Sequence, residues 1–95
     1  MKPLRVEWDA SKSLDNKRKH GISFEEAQTV FLDEKALMIH DPDHSEDEDR
    51  FVLLGLSATI RALAVCYCYR TSDEAIRIIS ARKATRNEQK RYWER

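Results

Sequence analysis

The chain of 95 residues has little of the residue types that interrupt regular structure, with only two glycines and two prolines. This scarcity argues against intrinsic disorder and against a scaffold dominated by loops. No apolar run approaches the ~20 residues that a transmembrane helix requires. The N-terminal MKPLRVEWD also lacks the apolar stretch of a secretory signal peptide. We therefore expect one globular domain, residues 1–95, with a single modest core.

Cysteine is equally scarce, and the two cysteines, Cys66 and Cys68, lie two residues apart in an apolar segment. Strand alternation would put both on one face of a sheet, where neighbours along one strand are poorly placed for a disulfide. Free cysteines are typical of a reducing cytoplasm. The two cysteines and the three histidines, His20, His40 and His44, are residue types that can bind a metal ion. Their spacings do not match those of zinc sites, so we expect no metal and no cofactor.

A net charge is absent too, since 17 lysines and arginines balance 17 acids, but the charges are unevenly spread. Residues 41–69 carry two cations against six acids, a net charge of −4, and residues 70–95 carry eight against four, a net charge of +4. Both segments could be ordinary solvated surface. The basic segment also suits phosphate recognition, which makes nucleic acid the first partner to consider.

The most informative stretch is Ile76–Tyr92 (IRIISARKATRNEQKRY), in which a strand pattern changes to a helix pattern. Its closely spaced isoleucines are typical of a strand. Thr85 is followed three residues later by Glu88, which predicts a capping box in which each side chain bonds a backbone N–H at the helix start. A strand that delivers arginines to the end of a sheet would thus lead into a basic helix.

Near the N-terminus, a first helix is predicted to begin after Asp9 as its N-cap and to end near His20, with Gly21 as a left-handed terminator. Ala10 and Leu14 are expected to face inward. The helical spacing aligns three polar residues along another side: Lys12, Asn16 and Lys19.

A second helix follows directly, because Ser23 and Glu26 have the spacing of a capping box and Ile22 and Ala27 that of a hydrophobic staple. From residue 36 onward the pattern becomes strand-like. With a short opening strand, the predicted strands are Arg5–Asp9, Ala36–His40, Phe51–Ser57, Leu63–Tyr69 and Ala75–Ala81.

Short connections between the last four strands predict a twisted antiparallel meander. The middle two strands are apolar on both faces, so they should be central and covered by helices on at least one side. Gly55 inside a strand predicts a bulge or a close backbone approach. The expected fold class is α+β, with two N-terminal helices and one C-terminal helix packed on this sheet.

The segment Asp41–Asp49 (DPDHSEDED) suggests calcium at first sight. An EF-hand loop requires glycine at its sixth position and glutamate at its twelfth, where this chain has Glu46 and Val52. We interpret the segment as a charged hairpin tip that keeps strand edges soluble. Alternatively, Glu48 or a neighbour reaches the functional site, or the acids mimic phosphates for a basic partner.

Four arginines lie in or beside the predicted strands: Arg50, Arg70, Arg77 and Arg82. Isolated strand arginines usually form surface ion pairs. Four on one sheet, next to a basic C-terminal segment, are better explained by phosphate binding, because the guanidinium presents a bidentate fork to oxyanions.

Taken in order, these residues resemble the BrnT toxins, the ribonuclease half of a type II toxin–antitoxin pair, whose fold is similar to that of the RelE ribonucleases. The resemblance runs almost the whole length and is most specific in Lys19–Ala27 (KHGISFEEA) and Arg77–Thr85 (RIISARKAT). It also includes Glu7-Trp8-Asp9, Lys12, Asn16, Asp41–Glu46 and Arg50-Phe51. One departure is Tyr67, because relatives often carry histidine between the two cysteines.

The resemblance implies a metal-independent endoribonuclease that cleaves single-stranded RNA, mRNA included, and so inhibits translation. It implies a BrnA-type antitoxin with a ribbon–helix–helix end, in a complex holding two or more copies of each chain. Operator DNA would be contacted only through that complex. A cytoplasmic location is expected from the free cysteines, and no membrane attachment is expected because no apolar run is long enough.

RNA cleavage without a metal uses the ribose 2′-OH as nucleophile, so the site needs a base, cations on the phosphorane and a proton donor for the 5′-oxygen. Arginine supplies only the cations. We assign them to Arg77 on one face of the last strand and to Arg82 just beyond its end, with Arg50 or Arg70 assisting. Glu48, a lysine such as Lys12, a histidine or a tyrosine would be the acid or base, and the sequence does not choose among them.

Candidate RNA contacts are Lys12, Lys19, Arg50, Lys83, Trp8 and Tyr67. The two aromatic residues could stack an unpaired base, although Trp8 suits the core equally well. The alternative function is a non-catalytic module that binds an antitoxin or operator DNA, because catalytic and merely binding arginines look alike in sequence.

Overall fold

The computed structural model describes residues 5–40, 50–70 and 75–94, which form five strands and three α-helices. The strands are β1 (Arg5–Glu7), β2 (Leu37–His40), β3 (Arg50–Leu56), β4 (Ala62–Arg70) and β5 (Ala75–Lys83). The helices are α1 (Ala10–His20), α2 (Phe24–Gln28) and α3 (Arg86–Trp93), with a 3₁₀ helix at Thr29–Leu32. Among these helices none has the length and apolar character needed to span a bilayer.

The sheet has the strand order β1-β5-β4-β3-β2. Strands β2 to β5 form the predicted antiparallel meander, and Leu63–Tyr69 lies in the interior strand β4 as expected. The opening strand is shorter than predicted and pairs in parallel with β5, in register from Arg5 with Ala75 to Glu7 with Arg77. It ends at Glu7, before the Asp9 N-cap of α1.

The hydrophobic core lies between one face of the sheet and the segment that contains α2 and the 3₁₀ helix. Its buried residues include Ile22, Phe24, Ala27, Val30, Leu53, Leu63, Val65, Tyr67, Ile76, Ile78 and Ala81. Gly55 lies on this face, in register with Leu63. A Cβ there would be 2.9 Å from Val30 Cγ1 and 3.0 Å from Asp33 Oδ2, so the predicted close approach is confirmed.

Helix α1 begins and ends as predicted. Asp9 accepts hydrogen bonds from the backbone N–H groups of Ser11 and Lys12 and from the Ser11 hydroxyl, the last of which contributes most to lowering the pKa of its carboxyl group. Gly21 terminates the helix at φ 73°. This left-handed conformation carries no steric penalty for glycine.

The predicted inward face of α1 is wrong. Leu14 is 65% exposed and Ala10 is exposed, whereas Asn16 is buried. Asn16 Nδ2 donates to the Ile22 and Ala81 carbonyls, both at 2.8 Å, and Oδ1 accepts from the Ala81 N–H at 3.1 Å. Because β1 stops pairing at Arg77, the backbone of β5 beyond it needs a polar partner, and an amide side chain supplies one.

Of the two predicted capping boxes, the one at α3 is complete and the one at α2 is half formed. Ser23 accepts from the Glu26 N–H at 3.1 Å, but the Glu26 carboxylate accepts from Nε and Nη2 of Arg61 instead of returning to Ser23. Ser57 and Thr59 also donate to it. The hydrogen bonds from Arg61 lower the pKa of Glu26 to about 2.

Candidate functional site

Arginines gather on the face of the sheet that is opposite the core, which we call the arginine face. Arg50 in β3 is in register with Cys68 in β4, and Cys68 with Arg77 in β5. Partners in register project to the same side of a sheet, and alternate residues project to opposite sides. Since Tyr67 of β4 belongs to the core, Cys68 and its two arginine partners lie on the other face.

A β-bulge in β5 brings Arg82 onto the arginine face as well. Cys66 is in register with Ser80 but Tyr67 with Ile78, which leaves Ile79 as the extra residue. Alternation without the bulge would put residues 77 and 82 on opposite faces. The prediction that Arg82 lies just beyond the strand is also wrong, because β5 continues to Lys83.

The fork of Arg82 is occupied by Glu88. Its Nη1 and Nη2 donate to Glu88 Oε1 and Oε2 at 2.6 and 2.9 Å, and Oε1 also accepts from the Thr85 N–H at 2.9 Å. The hydrogen bonds from Arg82 lower the pKa of Glu88 to about 2. One carboxylate therefore caps α3 and ties it to the end of β5.

Arg77 has a different environment. It is partly exposed, and among the residues that the structure describes it makes no hydrogen bond or ion pair. It lies in a row of register partners that crosses four strands, which we call the cross-strand row: Glu7, Arg77, Cys68 and Arg50. Cys66 and Cys68 share this face as predicted, and no disulfide joins them.

Two further predicted site residues are less defined. Arg70 ends β4 in register with Ala75, so its backbone position belongs to the arginine face by alternation. Glu48 lies in residues 41–49, outside the described part of the chain. Within the described part, no group of three or more histidine, cysteine or carboxylate side chains is placed to hold a metal ion.

The predicted lysines are exposed but separate from the cross-strand row. Lys12 and Lys19 lie on α1, on the helix turns either side of the docked Asn16. Lys83 ends β5 in register with Leu63, which assigns its position to the core side of the sheet. The arginine face therefore gathers the predicted arginines and not the predicted lysines.

Neither predicted stacking residue lies on the arginine face, and the burial of Tyr67 is at odds with base stacking. Tyr67 is 2% exposed and its ring contacts Phe31 and Phe51, with centroids 5.1 and 5.8 Å away. Burial, with a smaller effect of neighbouring Tyr69, raises the pKa of its hydroxyl group. Trp8 is partly buried and packs edge-on against Phe24 at 6.4 Å.

Three long-range pairings were not predicted from sequence. Arg61 holds Glu26, and the Tyr92 hydroxyl donates to Asp33 Oδ2 at 2.6 Å, which fixes α3. Glu7 lies beside Arg77 on the neighbouring strand. No local signal marks these contacts, because each joins elements that are distant in sequence.

The fold and this face together define an α+β protein in which the partly exposed guanidinium of Arg77 lies on the side of the sheet opposite the core. The sequence profile of the family described as "Ribonuclease toxin, BrnT, of type II toxin-antitoxin system" matches residues 8–88. The chain therefore belongs to the BrnT family of ribonuclease toxins, as the sequence resemblance predicted. Membership in a type II toxin–antitoxin family implies an antitoxin partner.

A solved structure supports the fold. The 1.1 Å crystal structure of the Brucella abortus ribonuclease toxin BrnT is similar to this chain with a TM-score of 0.66. The two are 23% identical, and the match covers 88% of this chain and 100% of the other. No curated protein sequence matches the chain.

Proposed function

We propose that this chain is a metal-independent endoribonuclease that cleaves single-stranded RNA, mRNA included, and so inhibits translation. The observation that carries the proposal is Arg77, a partly exposed guanidinium on the arginine face with no ion-pair partner among the described residues. The family of the chain indicates the reaction class, and the guanidinium fork of Arg77 is suited to bind a phosphate.

The chemistry is attack of the ribose 2′-OH on the adjacent phosphate through a pentavalent phosphorane. Arg77 stabilises the negative charge that develops on the equatorial oxygens, which is the role of a preorganised cation in a transition state. Arg50 lies two strands away in the same row, about 10 Å at strand spacing, so a long side chain from each side can approach the same phosphate. Arg70, the last residue of β4, assists in this proposal.

Arg82 has a structural role in this scheme, and not the direct one that its sequence context suggested. Its two terminal nitrogens already donate to Glu88, and a phosphate would have to displace that carboxylate. Lys12 and Lys19 add exposed positive charge that holds flanking RNA. Glu48 remains a proposed acid or base.

We further propose that the antitoxin is of the BrnA type, with a ribbon–helix–helix end, and that it covers the arginine face. The complex would hold two or more copies of each chain and contact operator DNA through the antitoxin alone. A RelE-like arrangement and a cytoplasmic location belong to the same proposal. Association driven by complementary charge should be faster at low salt.

The test is incubation of purified, antitoxin-free protein with single-stranded RNA, once with EDTA and once with Mg²⁺. Cleavage in EDTA that leaves 2′,3′-cyclic phosphate ends is the expected result. Cleavage only with Mg²⁺ would contradict metal independence. Intact RNA in both reactions, from protein that still binds its antitoxin, would instead identify a non-catalytic binding module.

A further inference from the structure

Glu7 is the acidic member of the cross-strand row. It is partly buried, and its position in β1 is in register with Arg77 in β5. Adjacent strands lie ~4.8 Å apart, so neighbouring members of the row can reach adjoining groups of one ligand. A guanidinium on a phosphate would thus place the Glu7 carboxylate close to the ribose attached to that phosphate.

The chain on either side fixes the position of Glu7. The next residue, Trp8, packs against Phe24 of the core, and Asp9 then caps α1 with hydrogen bonds to two backbone N–H groups. On the other side, β1 is held in the sheet by its pairing with β5. The backbone at Glu7 is therefore held by strand pairing on one side and by a core aromatic residue and a helix cap on the other, which favours a fixed catalytic position.

Other titratable side chains of the described residues are less suited to accept a proton on this face. Glu88 lies on α3 and not in the cross-strand row, and its carboxylate caps that helix. Cys68 is in the row but only 4% exposed. Tyr67 and Tyr69 occupy the opposite face by alternation.

We propose that Glu7 is the general base of the ribonuclease reaction, an inference that rests on the proposed function. Its carboxylate takes the 2′-OH proton while the 2′-oxygen forms a bond to phosphorus. The bond from phosphorus to the 5′-oxygen breaks, and the 5′-oxygen leaves with a proton from a separate acid or from water. The products are a 2′,3′-cyclic phosphate and a 5′-hydroxyl end.

The experiment compares wild type, Glu7→Gln and the matched control Glu34→Gln, an exposed acid in the turn before β2. We expect single-turnover cleavage by Glu7→Gln to fall ~10²–10⁴-fold, the usual range for loss of a general base. Binding of a fully 2′-O-methylated RNA should stay equal or tighten, because a negative charge beside Arg77 is removed. Cleavage by Glu34→Gln should equal wild type.

A second substrate separates a base from an acid or a structural residue. The second substrate is an RNA in which sulfur replaces the 5′-oxygen at the bond that wild type cuts. Because a thiolate is a good leaving group, this bond breaks easily without a proton donor. Glu7→Gln should stay slow on this substrate at an unchanged melting temperature. Restoration to the wild-type rate would show that Glu7 is the acid, and loss in proportion to unfolding would show a structural role; either result overturns the inference.

If Glu7→Gln does not fold, Glu7→Asp takes its place, because it keeps the charge but moves the carboxylate back by one methylene. It should cleave at least ~10-fold more slowly than wild type, given the geometric demands of proton transfer; an unchanged rate would overturn the inference. Equal cleavage by wild type and Glu7→Gln would refute the role of Glu7 and leave the proposed ribonuclease function intact. Failure of wild type to cleave any RNA would defeat the proposed function itself.

Discussion

Arg77 and Arg82 occupy the same strand and the same face of the sheet, but their surroundings differ. Arg82 donates both ends of its fork to Glu88, whose carboxylate also caps α3. Arg77 makes no ion pair with any residue that the structure describes, and its neighbours in register are Glu7 and Cys68. The same side chain thus holds a carboxylate at one position and is partly exposed, without an ion pair to any described residue, at the other.

Arg61 extends the comparison, because it resembles Arg82 and not Arg77. It donates to both oxygens of Glu26 and to the Gly21 carbonyl, at the opposite side of the sheet from the arginine face. An arginine with a fixed carboxylate partner has a defined structural role. A partly exposed arginine without such a partner can offer its whole fork to a ligand, which makes it the better candidate for phosphate binding.

The largest expected effect concerns Arg77. Arg77→Ala should lower single-turnover RNA cleavage by ~10²–10³-fold, the scale of losing one oxyanion donor, while RNA affinity falls much less. Arg77→Lys should restore part of the rate, because lysine keeps the charge and loses the fork. Arg18→Ala is the control, since Arg18 is exposed and pairs only with Asp15 at 3.6 Å among the described residues.

The next effect is on stability and concerns Asn16. Asn16→Ala leaves the Ala81 N–H and the Ile22 and Ala81 carbonyls without their side-chain partner. We expect the free energy of unfolding to fall by about 2–3 kcal/mol in urea titrations, because buried polar groups lose their hydrogen bonds. Lys12→Ala, on the exposed side of the same helix, should change it little. Equal stability of the two variants would contradict the proposed docking of α1.

Arg82 should show a smaller effect on stability. Arg82→Ala removes the partner of Glu88, and we expect a loss of about 1–2 kcal/mol, moderated because the Arg82 side chain is 43% exposed. Cleavage should decline only as far as the folded fraction declines. A matched change, Arg61→Ala, should likewise lower stability, which thermal melts of the three proteins can compare.

The smallest effect is the dependence of stability on acid. The pKa values of Glu26 and Glu88 are lowered from 4.5 to about 2 by Arg61 and Arg82. Their contribution is therefore present above pH 4.5 and lost as pH falls toward 2, by about 1 kcal/mol for each carboxylate after solvent screening. Urea titrations at pH 7 and pH 3 should show this difference, and Glu26→Gln should reduce it. An unchanged difference in that variant would exclude Glu26 as a cause.

The features that the sequence predicted correctly are those that depend on residues close together in the chain. The caps at Asp9 and Thr85, the terminator Gly21 and the four strands of the meander all depend on residues near one another in the chain. The clustering of arginines on one sheet followed from those strands. These features were predictable because a cap or a strand period is set within a few residues.

The remaining features depend on contacts between distant segments. The bulge at Ile79 places Arg77 and Arg82 on one face of the sheet. Regular alternation along β5 would have placed them on opposite faces. The parallel pairing of β1 with β5 is what places Glu7 beside Arg77. The burial of Asn16 reverses the expected face of α1, because its partners are backbone groups of a strand 65 residues away in sequence.

The most direct test of the account is to measure single-turnover RNA cleavage of Arg77→Ala and Arg82→Ala in parallel. Each rate is divided by the fraction folded, which a melting curve of the same sample supplies. We predict that Arg77→Ala stays ~10²–10³-fold below wild type at full folding, the cost of a lost oxyanion donor. Arg82→Ala should return to near the wild-type rate after the correction. Equal corrected rates for the two variants would contradict the division of roles between the two arginines.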